Sequence, residues 1–208
     1  MEKVSVDKEI IPGKIEIEQA LVDLQEMFNK WGLTSDDYVL VDEIAYVLQG
    51  YEVIGEEMKT RHLDTYININ KLPWQTSKER SIIPPADSNF FEDYCMFMET
   101  TGFGLDMLAT ASDDSIFQQP MINYELPNNK TIRLMEASAM TRQFWQKTLM
   151  HYSLEDVGSD KVKEWLAKLE LIGGVALKKG ETQLTTDCQE MLGEARERWK
   201  KVLGENRP

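Results

Sequence analysis

The stretch 38–74 constrains the fold most, because its pattern predicts two strands connected through a helix. Tyr38–Val41 is a short run of apolar, β-prone residues, which is typical of a buried strand. Apolar residues recur at helical spacing over 44–51, and Gly50 can end that helix. Polar and apolar residues then alternate over 62–69, which predicts a second strand with one polar face.

The polar face of the second predicted strand carries His62 and Asp64. These residues are two positions apart, so their side chains project from the same side of the sheet. An imidazole and a carboxylate placed together are candidates for binding a metal ion or for moving a proton. A structural hydrogen bond between the two side chains is the alternative interpretation of the same pattern.

The layout of this stretch resembles the core of the nucleotidyltransferase superfamily, which includes antibiotic nucleotidyltransferases and abortive-infection toxins. Its members have a strand ending in Gly-Gly or Gly-Ser, a helix running into Gly and an aromatic residue, and a strand reading Thr-x-Asp-apolar-Asp. Residues 45–51 (Ala-Tyr-Val-Leu-Gln-Gly-Tyr) resemble that helix, and residues 60–64 (Thr-Arg-His-Leu-Asp) resemble that strand. The chain departs from the family pattern at Asp42 and Glu43, which replace the glycine pair, and at His62, which replaces the first Asp.

The resemblance implies an α/β fold of the α+β kind, with a small mixed β-sheet flanked by helices. We expect a nucleotidyltransferase-like core over 1–136 and a helical C-terminal region over 137–208 packed on it. Apolar residues at helical spacing run through most of this second region, and Gly173 and Gly174 suggest a break within it.

Asp64 and His62 are the catalytic residues and metal ligands that the resemblance implies. In active members, carboxylates on this strand hold magnesium ions, which prefer oxygen ligands. Magnesium or manganese carrying a nucleoside triphosphate is therefore the expected cofactor. The imidazole of His62 suits zinc, copper, iron or nickel better than magnesium, so its role would be that of an unusual ligand or a base.

The candidate cofactor-binding residues are Asp42, Glu43, Lys59 and Arg61. In the family, a glycine turn lets backbone N–H groups hold phosphates at this place. Asp42 and Glu43 bring negative charge there, and they can cap the helix themselves. Lys59 and Arg61 can contact an anionic ligand, although solvated surface charges are the alternative.

A hairpin is predicted over 121–136, because two alternating runs flank Pro-Asn-Asn-Lys. Family members usually carry a third carboxylate on a later strand that adjoins the Asp-bearing strand. Glu125 is the candidate for that third catalytic position, and an ordinary exposed strand residue is the alternative.

Two functions follow from the resemblance. The first is transfer of a nucleotidyl group from a nucleoside triphosphate to an unknown acceptor, which leaves Asp64, His62 and Glu125 with catalytic roles. The second is a catalytically inactive binding or regulatory module that needs no cofactor. The departures at Asp42, Glu43 and His62 favour the second function, whereas the retained Asp64 favours the first.

Composition limits the partners. The 208 residues carry a formal net charge of -13, which repels polyanions and argues against a nucleic-acid partner. A small molecule or a nucleotide is the expected ligand. The sequence contains no apolar run of transmembrane length and only two cysteines, so we expect no membrane partner and a cytoplasmic location. Nothing in the sequence indicates an oligomeric state.

Overall fold

The computed structural model describes residues 12–51, 61–74, 81–110, 116–151 and 158–203. Helices and strands alternate in the first two thirds of the chain, and helices follow. This arrangement confirms the expected α/β fold with C-terminal helices. The elements are α1 (Lys14–Lys30), β1 (Tyr38–Val41), α2 (Asp42–Leu48), β2 (His62–Asn68), a 3-10 turn (Ile69–Lys71), β3 (Ser81–Ile82), α3 (Asn89–Thr101), β4 (Gly104–Thr110), β5 (Met121–Glu125), β6 (Thr131–Met135), α4 (Ala137–His151), α5 (Ser159–Lys179) and α6 (Thr182–Leu203).

The strands form one mixed sheet in the order β3-β4-β2-β1-β6-β5. β1 is antiparallel to β2, with Val41 opposite Asp64, which confirms that the two strands predicted from the stretch 38–74 are neighbours. β2 is parallel to β4, and β1 is parallel to β6. β5 and β6 form the predicted hairpin, and β5 lies at an edge of the sheet.

One face of the sheet carries much of the core of this part of the chain. It presents Tyr38 and Leu40 from β1 and Leu63 and Ile67 from β2, all of them completely buried. α1 lies against this face, and its Phe28 ring meets the Tyr38 ring edge-on at 4.7 Å. Apolar residues three and four positions apart direct one stripe of α1 inward, which is why this segment forms a helix here. The completely buried residues of that stripe are Ile17, Leu21, Leu24 and Phe28.

α3 packs beside α1 and is delimited by recognisable caps. The Ser88 hydroxyl accepts a hydrogen bond from the Phe91 N–H at 3.3 Å, and Gly102 ends the helix with φ 68°. The Tyr94 hydroxyl donates to the Leu105 carbonyl on β4 at 2.9 Å. Burial raises the pKa of the Tyr94 hydroxyl, and the negative charge of Asp106 raises it further, so this donor keeps its proton.

Two compact units divide the chain. One comprises Met1–Leu48 and Ile54–Met135, and the other comprises Gln49–Val53 and Glu136–Pro208. In the second unit, the Lys179 ammonium donates to the Gln49 carbonyl at 2.8 Å and lies 4.2 Å from the centre of the Tyr51 ring. These contacts attach Gln49 and Tyr51 to the end of α5. Within the described residues, no helix is both long enough and apolar enough to cross a bilayer.

The expected break at Gly173 and Gly174 is wrong, because α5 runs through both residues and ends only at Gly180, which has φ 75°. Packing between helices explains the first glycine. A β-carbon at position 173 would lie 3.0 Å from the Cys188 β-carbon of α6, so glycine allows the two helices to approach closely. Gly174 is exposed, and a β-carbon there would meet no atom within 4 Å.

Gly174→Ala is expected to stabilise the protein by about 0.5–1 kcal/mol, because alanine restricts the unfolded chain and has space in the folded one. Gly173→Ala is the matched control, since it makes the same chemical change one residue earlier, against Cys188. It should fail to stabilise the protein or should destabilise it. Urea denaturation of both variants measures the difference, and equal stabilisation by both would contradict the described packing of α5 on α6.

Candidate functional site

The second face of β2 is polar and partly open to solvent. His62, Asp64 and Tyr66 project from this face and are all half-buried, whereas the alternating residues Leu63 and Thr65 point into the core and are completely buried. This alternation is what the sequence predicts for a strand with one covered face. β2 therefore presents a row of three groups that can form hydrogen bonds or bind ions.

Asp106 on β4 extends that row onto a second strand. It is the parallel pairing partner of Asp64, so both side chains leave the same face of the sheet. Neighbouring strands lie about 4.8 Å apart, which is close enough for two carboxylates to repel each other or to share a cation. The Asp106 side chain is 53% exposed, so solvent and small ions can reach this pair.

His62 contacts both β4 residues that border it. Its Nδ1 atom lies 3.4 Å from Oδ2 of Asp106, a distance that suits an ion pair when the imidazole is protonated. Its ring covers Gly104, the pairing partner of His62 on β4. A β-carbon at position 104 would lie 2.6 Å from Nε2 of His62, so only glycine leaves room for the ring in this position.

His62, Asp64 and Asp106, here called the His62 cluster, project from the same face of the sheet. Their side chains do not converge on one point as metal ligands do. Within the described ranges, no three His, Cys, Asp or Glu side chains lie close enough together to hold a metal ion. The arrangement offers one pair of neighbouring carboxylates and one imidazole that already contacts a carboxylate. It can bind a cation weakly or exchange protons with solvent.

Arg61 directly precedes β2, and it contacts residues of neighbouring elements within the same compact unit. Its backbone has φ 56°, and its carbonyl accepts a hydrogen bond from the Gly104 N–H at 2.8 Å. Its guanidinium lies 3.2 Å from a carboxylate oxygen of Glu16 and 4.7 Å from the centre of the Phe103 ring. A hydrogen bond from the Gly13 N–H and the neighbouring Arg61 lower the pKa of Glu16. The guanidinium is therefore held by Glu16 in the first turn of α1.

The other candidate cofactor-binding residues lie where β1 meets α2, or outside the described structure. Asp42 begins α2 directly after β1, but its side chain lies outside the described part of the protein, as does the whole of Lys59. Glu43 is only 4% exposed, so its carboxylate is enclosed by the protein. α2 is a single short helix of 7 residues. Glu43 thus lies inside the protein at the place where the family resemblance implies a phosphate.

Glu125 does not lie beside Asp64, so the expected position of the third carboxylate is wrong. Glu125 is exposed on β5, and two strands, β1 and β6, separate β5 from β2. At about 4.8 Å a strand, Glu125 lies about 14 Å to the side of β2. The strand that adjoins β2 is β4, and its carboxylate is Asp106. The prediction failed because it places the hairpin beside β2, whereas the hairpin pairs with β1 through β6.

Asp106 and Gly104 are the residues of the site that sequence reasoning missed. A signal for Asp106 was present, because a single acid lies between the apolar residues Leu105 and Met107. That pattern indicates a half-buried strand with an outward carboxylate. No comparable signal existed for Gly104, since its role depends on the ring of His62 from another strand.

Comparisons with known proteins add no relative. The chain has no significant match among protein-family models, curated proteins or solved structures.

Proposed function

We propose that this chain is a nucleotidyltransferase-like protein that acts as a binding or regulatory module and does not transfer nucleotidyl groups. Its cleft would be the polar face of β2 and β4. The observation that supports this proposal is the position of His62, which lies over Gly104 and contacts Asp106 with its Nδ1 atom. The residue that the resemblance assigns to the first metal-binding position therefore contacts β4.

Metal chemistry explains why this change matters. Magnesium requires oxygen ligands in a nearly octahedral arrangement, and phosphoryl transfer through metal ions needs those oxygens held in place. Replacing the first carboxylate with an imidazole removes a hard ligand from the cleft. The remaining carboxylates, Asp64 and Asp106, offer two oxygen ligands on neighbouring strands. Two such ligands hold magnesium more weakly than a complete carboxylate set does.

The beginning of α2 supports the same conclusion. The resemblance implies a glycine pair at this place, where backbone N–H groups would hold the phosphates of a nucleotide. Here Glu43 is buried, and a carboxylate close to a triphosphate would repel it. Among the residues that the structure describes, the cleft would therefore offer an incomplete metal site and an unfavourable phosphate site.

Calorimetric titration of the full chain with Mg·ATP, and separately with Mn·ATP, tests this proposal. We expect dissociation constants larger than about 1 mM, which is the upper end of the usual range of KM values for enzyme substrates. Asp64→Asn serves as the control, and it should leave the titration unchanged. Tight binding that disappears in Asp64→Asn would contradict the loss of nucleotidyl transfer.

A second candidate function is nucleotidyl transfer itself, and the pairing of Asp64 with Asp106 favours it. Two carboxylates on adjacent parallel strands can share a divalent cation that carries a nucleoside triphosphate. An acceptor hydroxyl oxygen would form a bond to the α-phosphorus and lose its proton to solvent. The bond between the α-phosphorus and the oxygen that bridges it to the β-phosphate would break and release pyrophosphate. Pyrophosphate release with magnesium or manganese that is lost in both Asp64→Asn and Asp106→Asn would favour this function over the first.

A further inference from the structure

A groove opens between α1 and α3, and none of its lining residues belongs to the His62 cluster. Met27, Met96 and Phe97 supply its apolar lining. Met96 is 59% exposed, so its side chain is accessible to a partner. The remaining lining residues are polar or charged, namely Asp23, Glu26, Lys30, Asp93 and Thr100.

The charges around this groove are mostly negative. Lys30 is the only cation among the lining residues, and it lies 3.4 Å from Asp93, which it neutralises. Asp23 accepts a hydrogen bond from Gln19, a neutral side chain. Glu26 is exposed and forms no ion pair with any residue that the structure describes. The groove therefore offers two carboxylates, Asp23 and Glu26, beside an apolar floor.

We propose that this groove binds a basic amphipathic helix of a partner protein. Lysine or arginine side chains of that helix would approach Asp23 and Glu26, and its apolar face would contact Met27, Met96 and Phe97. A third helix can lie in the depression between two packed helices, with its side chains between theirs. Methionine side chains are unbranched and polarizable, which suits a surface that accommodates a partner's side chains.

The charge of the groove selects among possible partners. The acidic pair repels nucleic acids and anionic lipid surfaces, so a cationic polypeptide is the complementary ligand. Binding here is independent of whether the His62 cluster catalyses a reaction.

Fluorescence anisotropy with labelled synthetic peptides tests the proposal on the full chain. The first peptide has 14 residues of leucine and lysine in the order of an amphipathic helix. The second replaces every lysine with glutamate, and the third keeps the lysines but scrambles the order so that no apolar face forms. We expect the first peptide to bind at least about tenfold more tightly than either of the others, because only it matches both charge and apolar surface.

Two pairs of variants locate the binding on the protein. Met96→Glu should weaken binding of the first peptide at least tenfold, whereas Leu177→Glu should change it less than twofold, because Leu177 is an exposed apolar residue of the other compact unit. Glu26→Lys should weaken binding at least tenfold. Glu190→Lys makes the same change of charge at an exposed position of α6, and it should weaken binding less than twofold. Far-ultraviolet circular dichroism confirms that each variant is folded.

Equal losses in Glu26→Lys and Glu190→Lys would overturn the proposal, because the attraction would then arise from the net charge of the whole protein. Unchanged binding in Met96→Glu would also overturn it, since the apolar floor would then play no part. Binding of the scrambled peptide as tight as that of the amphipathic one would contradict a helical partner.

Discussion

Leu40→Ala is expected to lower the free energy of unfolding by about 2–5 kcal/mol. Leu40 is completely buried on β1, the strand between β2 and β6. Shortening it removes apolar contact from the centre of the sheet and leaves a cavity between the sheet and its helices. A loss of this size is a large fraction of the stability of an ordinary domain.

Ile15→Ala is the matched control for Leu40→Ala, because it deletes the same number of carbon atoms from α1. Ile15 is 82% exposed, so its truncation opens no cavity and should change the free energy of unfolding by less than about 0.5 kcal/mol. Guanidinium denaturation followed by far-ultraviolet circular dichroism measures both changes. A loss below about 1 kcal/mol for Leu40→Ala would contradict the central position of β1.

Trp199→Ala is expected to lower the free energy of unfolding by about 3–5 kcal/mol. Trp199 is completely buried in the second compact unit, at a kink of α6 where its backbone has φ -104° and ψ 15°. The Trp145 ring lies edge-on at 5.9 Å and the Trp165 ring lies tilted at 5.6 Å. Removing the indole therefore takes away the central ring of a three-tryptophan cluster.

Trp199→Phe separates the loss of the ring cluster from the loss of the indole N–H. That N–H is buried and has no hydrogen-bond partner in the described part of the chain, so removing it loses no hydrogen bond. We expect Trp199→Phe to cost about 1–2 kcal/mol, clearly less than Trp199→Ala. Thermal unfolding recorded by circular dichroism compares the two, and equal losses would mean that ring packing is not what stabilises this unit.

Local patterns were sufficient to predict most of the fold. Each pattern used for these predictions lies within one element: the run Tyr38–Val41 in β1, the alternation after residue 61 in β2 and the apolar stripe in α1. The end of α2 was also predictable, since Gly50 adopts a positive φ value that favours glycine. Such strands, helices and helix ends are determined by a few residues that are neighbours in the sequence.

The order of strands in the sheet could not be predicted in the same way. The sequence of the hairpin β5–β6 does not indicate that β6 pairs with β1. The sequence of β4 likewise does not indicate that it pairs with β2. The candidate third carboxylate was therefore placed on Glu125 when Asp106 lies next to Asp64. Gly173 was also misinterpreted for this reason. Its sequence context predicts a helix break, whereas its role depends on Cys188, which packs against it from another helix.

The cation affinity of His62→Asp tests the account most directly, because it asks whether His62 occupies a lost carboxylate position in a cleft with Asp64 and Asp106. Calorimetric titration with Mn²⁺ should show at least tenfold tighter binding than the original chain, a gain of about 1.4 kcal/mol. Asn123→Asp adds the same charge on exposed β5 and should change little. No gain in His62→Asp, or an equal gain in Asn123→Asp, would contradict the account.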